Sequence, residues 1–407
     1  MTVNVFVSGN LAGVISRSEQ EPDTFLFTYD VSCKKDGAVS LTMPVMSDQY
    51  DSMGTVHPIF EMNLPEGALR HKLELMFSKA IKDFDSLSLL ELTGKSQIGR
   101  LRYATEGAMP DEVPPESVQR LLAYQGAEDL FDDLLNRFAR YSGISGMQPK
   151  VLIRDDAGAL DRITNKGATH IVKSFNPHEY FELAANEFFS MQAARYAGLP
   201  TAKTHLSENR KMLVVERFDL MPDGNYSGFE DFCVLSGMRA SGRYNSSYEA
   251  LAQKISSYVS PEHYTESMLH YFGTVSLACA IKNGDAHLKN FGILYEKQGE
   301  SVRLAPVFDM VSTAPYFPHE ALALELNGSK QFPTRRQLVQ FGRQACGLSS
   351  RQVEHMLANI AQGVDRAARE MQGYTQEHPD FKSTANHLTK VFARGIAHLT
   401  APKSGIR

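Results

Sequence analysis

A chain of 407 residues, 43% hydrophobic and 10% aromatic, carries core material for two or three globular domains. It contains no run of eighteen or more apolar residues, and its start, Met1-Thr2-Val3-Asn4-Val5, lacks a basic stretch leading into an apolar one, so no membrane partner and no secretory signal are expected and the default compartment is the cytoplasm. A formal net charge of −5 supplies no global field for nucleic acid, and four scattered cysteines show neither a C-x-x-C pair nor a metal-ligand spacing, which argues for buried thiols rather than zinc or redox chemistry.

The first hundred residues read as a small strand-rich unit, because Val3–Val7, Thr24–Tyr29 and Ala38–Met43 alternate or cluster β-formers. Leu69–Phe84 then sets Leu69, Leu73, Leu75, Met76 and Ile81 among charged residues, the pattern of an amphipathic helix, before strand character returns at Ile98–Leu101. The Pro- and Glu-rich stretch Met109–Glu116 breaks regular structure and marks a joint. Strands are expected at Lys150–Arg154, Thr169–Phe175 and Met212–Glu216, around one helix that starts with Asn176 as N-cap and Pro177 at its first position and runs to Tyr196. Past Asp219 the chain turns helical. Met268–Ile281 is apolar enough for a buried helix, Phe291–Tyr295 returns to strand, and Ser349 with Gln352 forms a capping box for a helix aligning Val353, Met356, Leu357, Ile360 and Val364. Strands first and helices after predict an α+β, bilobal protein-kinase-like fold, with boundaries at 1–108, 109–218 and 219–407.

The chemistry concentrates in Asn283-Gly284-Asp285-Ala286-His287-Leu288-Lys289-Asn290 and, beyond a strand, Val307-Phe308-Asp309. Phosphoryl transfer asks a protein mainly to position reactants and neutralise charge. Protein kinases do so with an Asp that accepts the acceptor hydroxyl's proton, an Asn five positions on that holds Mg²⁺, and a second Asp past a hairpin that holds metal. Asp285, Asn290 and Asp309 have that order and that first spacing. A chance Asp-x4-Asn in an Asn-Gly-Asp turn is the competing reading, and the core helix and strand on either side weigh against it. Upstream, Ser142 to Lys150 puts two glycines near a lysine, which suits a loop whose backbone N–H groups approach phosphate; a plain turn into a strand fits the pattern as well, and its place ahead of the next strand favours the phosphate loop. On that next strand Lys173 shares a face with Ile171 and Phe175. It reads as a contact to nucleotide phosphates, paired with Glu179, Glu182 or Glu187, against the alternative of snorkelling to water. The apolar strand ending at Asp219 fits an inter-lobe hinge or a plain strand end equally, and His287 reads either as a metal or phosphate contact or as a hydrogen-bonded structural residue.

These motifs, in this order, resemble the HipA-like serine/threonine kinases, the toxins of bacterial type II toxin–antitoxin modules. The match rests on Ser145-Gly146-Met147-Gln148-Pro149-Lys150, Thr169–Lys173, Val215–Asp219, Glu230–Cys233, Asn283–Asn290 and Phe308-Asp309, with Phe60–Gly67 similar to the family's small N-terminal subdomain, and it spans nearly the whole chain. The resemblance implies Asp285 as catalytic base, Asn290 and Asp309 as Mg²⁺ ligands and Lys173 as an ATP phosphate contact. It also implies Glu216, Arg217 and Phe218 as the hinge, Ser145 to Lys150 as the mobile phosphate loop, and His287 with Lys289 beside the nucleotide. It implies phosphorylation of a protein serine, with an aminoacyl-tRNA synthetase as the kind of substrate the family is known for. A HipB-like helix-turn-helix antitoxin that binds operator DNA is the implied partner. Many relatives have Ser-x-Ser at the start of the loop where this chain has Gly143-Ile144-Ser145, leaving Ser145 as the expected autophosphorylation site. Two other readings remain beside this one: a small-molecule phosphotransferase, and a kinase-like module that only holds an antitoxin and DNA. Against the second, a pure binder has no need of Lys173, Asp285, Asn290 and Asp309 together.

Overall fold

Val3, Val5 and Val7 are buried while the residues between them are not, the two-residue period of a half-buried strand, and they form β1 (Thr2–Val7). With β2 (Asn10–Arg17), β3 (Thr24–Tyr29), β4 (Tyr50–Met53) and β5 (Leu101–Ala104) it makes an antiparallel sheet in the order β4-β3-β2-β1-β5. This computed structural model describes residues 2–77, 81, 84–105, 112–126, 130–156, 167–175, 179–297, 299–317 and 319–400. The chain divides into two compact units, each discontinuous in sequence: Met1–Phe175, His205–Ser241 and Leu294–Glu300 in the first, Asn176–Thr204, Gly242–Ile293 and Ser301–Arg407 in the second.

In the first unit the sheet is joined by α1 (Pro58–Glu61), α2 (Gly67–Phe77) and α3 (Ser86–Thr93). The helix expected at Leu69–Phe84 is α2, but only Leu69 and Leu73 are buried, and Leu75 and Met76 stand exposed. Ala38–Met43 is not a strand: it is a turn closed by one bridge between Ser40 and Met43. Side chains take the place of a ladder there, with Val39 N–H donating to the Tyr29 hydroxyl at 3.0 Å and Arg100 donating to the Ala38 carbonyl at 2.9 Å.

A second sheet holds β6 (Pro115–Glu116), β7 (Lys150–Asp155), β8 (His170–Ser174), β9 (Thr204–Leu206) and β10 (Met212–Glu216) in the order β6-β7-β8-β10-β9. Residues 106–111 lie outside the described set; the stretch expected to break regular structure ends in a short strand, since Pro115–Glu116 pairs in parallel with Arg154–Asp155. A proline opening an edge strand loses no ladder bond. The intervening α4 (Val118–Leu122) and α5 (Leu130–Phe138) follow β6, and α5 packs on β7 through a face carrying Phe131, Leu134, Leu135 and Phe138. The short β11 (Gly228–Asp231) also belongs to this unit.

The second unit is helical: α6 (Leu183–Tyr196), α7 (Tyr248–Tyr258), α8 (Tyr264–Ile281), α9 (Arg335–Gln344), α10 (Ser350–Glu377) and α11 (Lys382–Thr400), with β12 (Gly292–Tyr295) starting in it and β13 (Arg303–Leu304) inside it. Asn176 and Pro177, expected to start the helix ending at Tyr196, lie outside the described residues; the helix begins later than expected, at Leu183, because Glu182 turns left-handed at φ 52°, and it ends at Tyr196 as expected. Ser349 and Gln352 do form a capping box on α10, whose Val353, Leu357, Ile360 and Val364 are buried, with Met356 half-buried. That helix packs against α6, α8 and α11. Among the described residues no helix is long and apolar enough to cross a membrane.

Candidate active site

Apolar side chains around its whole circumference make α8 a core helix, buried from Ser267 to Ile281 with the exception of Leu269. It ends because Lys282 turns left-handed at φ 57°, after which the Asn283 N–H donates back to the Ala278 carbonyl at 2.8 Å. Buried Asn283 then shapes the loop, its Oδ1 accepting from Asp285 N–H at 2.9 Å. Gly284 is required by contact: a Cβ there would lie 1.7 Å from Glu320 Oε1 and 2.5 Å from the Ala321 carbonyl oxygen. The core helix therefore presents Asp285 on a pinned loop with its side chain half exposed. Asp285 Oδ1 accepts from the Tyr244 hydroxyl at 2.8 Å and stands 3.9 Å from His287 Nε2, and the Tyr244 and His287 rings meet edge to face at 5.0 Å.

A single helical turn, Leu288–Asn290, follows, anchored by Leu288 N–H donating to the Arg243 carbonyl at 3.1 Å. Asn290 Nδ2 donates to Asp309 Oδ2 at 3.1 Å, and Asn290 Oδ1 is buried without a hydrogen-bond partner. A buried orphaned amide oxygen beside a carboxylate suits a hard cation, since Mg²⁺ takes oxygen ligands and completes its octahedron with water and phosphate rather than a protein cage. Asn290 and Asp309 thus fit the metal the sequence motif implies; among the described residues no cluster of three or more His, Cys, Asp or Glu competes for that role. Burial holds the His287 imidazole below its ordinary pKa, and its Nδ1 is buried without a partner, so the ring is neutral at pH 7 with one nitrogen uncommitted. Of the residues expected to form the site, Asp285, His287, Lys289, Asn290 and Asp309 lie in the second unit, and Ser145 to Lys150, Lys173 and Glu216 to Phe218 lie in the first.

The loop expected to hold phosphate starts from Ser142, whose hydroxyl donates to the Phe138 carbonyl and accepts from Leu152 N–H, both at 2.8 Å. Gly143 N–H donates to the Ser96 carbonyl at 2.9 Å, and a Cβ at Gly143 would sit 2.2 Å from Gln97 Nε2 and 2.8 Å from the Ser96 carbonyl oxygen. The Gln97 side chain and the Ser96 carbonyl leave no room for a side chain at Gly143. The Ser145 hydroxyl donates to the Glu66 carboxylate. Gly146 has φ +126°, open to glycine, and a Cβ there would meet Lys150 Nζ at 2.3 Å, so the missing side chain lets an ammonium group reach the loop backbone. Met147 and Gln148 form the bend that follows, with Met147 exposed, and Pro149 leads into β7.

Lys150 and Lys173 stand directly opposite each other in the β7–β8 register, 7% and 4% exposed. Lys173 therefore does not snorkel to water. Two facing ammonium-bearing side chains in one buried position favour an anion near them. In the strand end expected to be a hinge, Glu216 pairs in register with His170 and its carboxylate meets His205 Nε2 at 3.0 Å. The Arg217 guanidinium is fully occupied by protein. It ion-pairs with Asp219 at 2.5 Å, donates to the Gln97 carbonyl at 2.9 Å and lies 4.1 Å from the Tyr226 ring centre, while Asp219 accepts from Gly99 N–H at 2.7 Å. Phe218 packs edge-on against Phe229 at 5.6 Å. Tyr244 and Glu66 were not expected from sequence, since each reaches its partner from a distant segment and no spacing joins them.

Residues 142–368 match the family model for the HipA-like C-terminal domain, and residues 3–104 match that for the HipA N-terminal domain. The chain belongs to the HipA family. Two relatives from Sinorhizobium fredii bear the names "Putative kinase Y4mE" and "Putative kinase Y4dM"; the first is 28% identical over 68% of this chain and 69% of its own length, the second 25% identical over 66% and 65%. The chain thus spans about two thirds of the length of those two relatives. Its structure is similar to a chain of the solved Shewanella oneidensis MR-1 toxin–antitoxin complex of HipA, HipB and operator DNA, with a TM-score of 0.70 at 19% identity over 97% of this chain and 96% of that one. That likeness establishes a HipA-type α+β fold across both units.

Proposed function

We propose that this HipA-family chain is an ATP-dependent protein serine/threonine kinase that acts as a toxin. The observation that carries the reading is the Asp285 loop itself: a half-exposed carboxylate delivered by a core helix, followed by Asn290 bonded to Asp309 with a buried amide oxygen left over. Asp285 takes the proton of the acceptor hydroxyl as that oxygen attacks the γ-phosphorus and ADP leaves. Asn290 and Asp309 hold Mg²⁺, which when bound neutralises charge on the phosphates. Lys173, with Lys150 opposite it, contacts the phosphates; Ser145 to Pro149 cover them; Glu216, Arg217 and Phe218 form the adenine hinge, Arg217 through its backbone because its side chain is committed to Asp219; and neutral His287 with Lys289 lies beside the nucleotide. The residue ranges 1–108, 109–218 and 219–407 serve as N-terminal subdomain, kinase N-lobe and C-lobe.

The acceptor is a serine of a host protein, an aminoacyl-tRNA synthetase being the class the family suggests, and its modification halts translation. A HipB-like helix-turn-helix antitoxin neutralises the chain and links it to operator DNA, a proposal supported by the partners in the similar Shewanella complex. Ser145 is the autophosphorylation site, in a cytoplasmic protein. The Glu66 carboxylate would repel a phosphate placed there, so modification would break that contact and release the loop. The test is incubation with radiolabelled ATP, Mg²⁺ and host lysate, using wild type, Asp285→Asn and Asp309→Asn. One labelled protein band that both variants lower by at least about a hundredfold is expected; labelled metabolites instead would assign a small-molecule phosphotransferase, and no transfer would leave a binding module. Mass spectrometry of the same reaction locates any loop phosphate, and an active enzyme without phosphate at Ser145 refutes that part.

A further inference from the structure

Asp285 has two carboxylate oxygens and, among the described residues, its side-chain contacts converge on one of them. Oδ1 accepts from Tyr244 at 2.8 Å and stands 3.9 Å from His287 Nε2, so both contacts fall on Oδ1 and neither on Oδ2. Tyr244 is held where it is. Its ring rests on His287 at 5.0 Å, the carbonyl of its neighbour Arg243 accepts from Leu288 N–H at 3.1 Å, and the Tyr248 hydroxyl four residues on donates to the Ala286 carbonyl at 3.0 Å. Tyr271 on α8 in turn donates to the Tyr248 carbonyl at 2.8 Å. The Tyr244 segment is thus stitched to both sides of Asp285.

We propose that Tyr244 is a positioning residue for the catalytic base, fixing the Asp285 carboxylate through Oδ1 so that Oδ2 receives the acceptor's proton; this rests on the kinase reading above. A tyrosine that merely held the acceptor's place would have to withdraw when substrate arrived, and a segment tied at three points is ill suited to leaving. The phenol donates to Oδ1, so it fixes the orientation of the carboxylate before substrate binds. Sequence gives no hint of this role, because Tyr244 lies 41 residues before Asp285.

Tyr244→Phe tests it, since phenylalanine keeps the ring on His287 and removes only the donor. Crystal structures of wild type and variant are compared for the Asp285 carboxylate, and kcat and KM for ATP are measured alongside Asp285→Asn. His287, Glu320 and Tyr248, the other titratable groups that act on this carboxylate, and Arg243 beside His287 are unchanged in the variant. The expected result is a rotated or multiply placed carboxylate and a fall of about tenfold in kcat with KM for ATP unchanged. An unmoved carboxylate, unchanged or faster turnover, or phosphate found on Tyr244 itself would overturn the proposal. Should Asp285→Asn retain turnover, the kinase assignment of Asp285 fails, and the carboxylate's orientation in the two crystal structures still decides what Tyr244 does.

Discussion

A carboxylate with no solvent contact has to be held by donors, and Glu230, 0% exposed, is held by three: Ser40 Oγ at 2.6 Å, Leu41 N–H at 2.9 Å and the Tyr295 hydroxyl at 2.6 Å, with Arg100 stacked on the Tyr295 ring. Burial pushes its pKa up, and these donors and Arg100 oppose the rise. Glu230→Ala would strand three buried polar groups at once, so a loss of about 3–5 kcal/mol is expected in denaturant unfolding. A second residue sets a pH dependence. His270, 4% exposed on α8, is pushed down to about 4 by burial. Above the ordinary value of 6.5 both folded and unfolded chains carry it neutral; below it the unfolded chain takes up a proton that the folded chain refuses, so stability falls as pH drops toward 4. The expected loss from this one group reaches about 3 kcal/mol, and His270→Leu should flatten that part of the curve relative to wild type in unfolding measured from pH 7 to pH 4.

Among the elements, α10 organises the helical unit, and its start and its contacts can be tested separately. Its capping box joins the Ser349 hydroxyl to Gln352 N–H, with the Gln352 side chain accepting from Ser349 N–H at 2.9 Å. Ser349→Ala should lower the unfolding free energy by about 1 kcal/mol without altering turnover. The packing partners are more sensitive. A Cβ on Gly395 of α11 would sit 1.8 Å from the Ala280 carbonyl oxygen of α8, backbone that cannot step aside alone. Gly395→Ala is expected to cost about 3 kcal/mol by overpacking, despite alanine's better helix propensity, and a melting temperature above that of wild type would show that α11 shifts freely.

For the whole molecule, charge and family pull in different directions. A net charge of −5 over 407 residues gives operator phosphates little to hold, whereas the similar Shewanella complex contains DNA together with HipB. The purified chain alone should therefore leave operator DNA unshifted in a gel at about 0.15 M salt, and a shift should appear only with the helix-turn-helix protein co-purified from its own operon. Binding by the isolated chain would place a local basic patch where composition shows none.

Local pattern was enough for the elements whose period or caps are self-contained. Thr24–Tyr29, Met212–Glu216, the buried run ending at Ile281 and the Ser349–Gln352 box are in place because alternation, an all-apolar circumference and a capping pair are set by neighbours in sequence. The Asp285-to-Asn290 spacing was legible for the same reason, since one pinned loop carries both ends. What the sequence could not decide depended on partners far along the chain. Ala38–Met43 has strand-like residues but no neighbouring strand, so it became a turn satisfied by Tyr29 and Arg100. The environment of the Arg217 side chain was not legible either: folding sets the Gln97 carbonyl and the Tyr226 ring around it beside Asp219. The hydroxyl on Asp285 comes from Tyr244, and the acceptor for Ser145 comes from Glu66. Hydrogen bonds and ion pairs act over about 3 Å whatever the separation along the chain, so only the tertiary structure selects which distant polar groups meet.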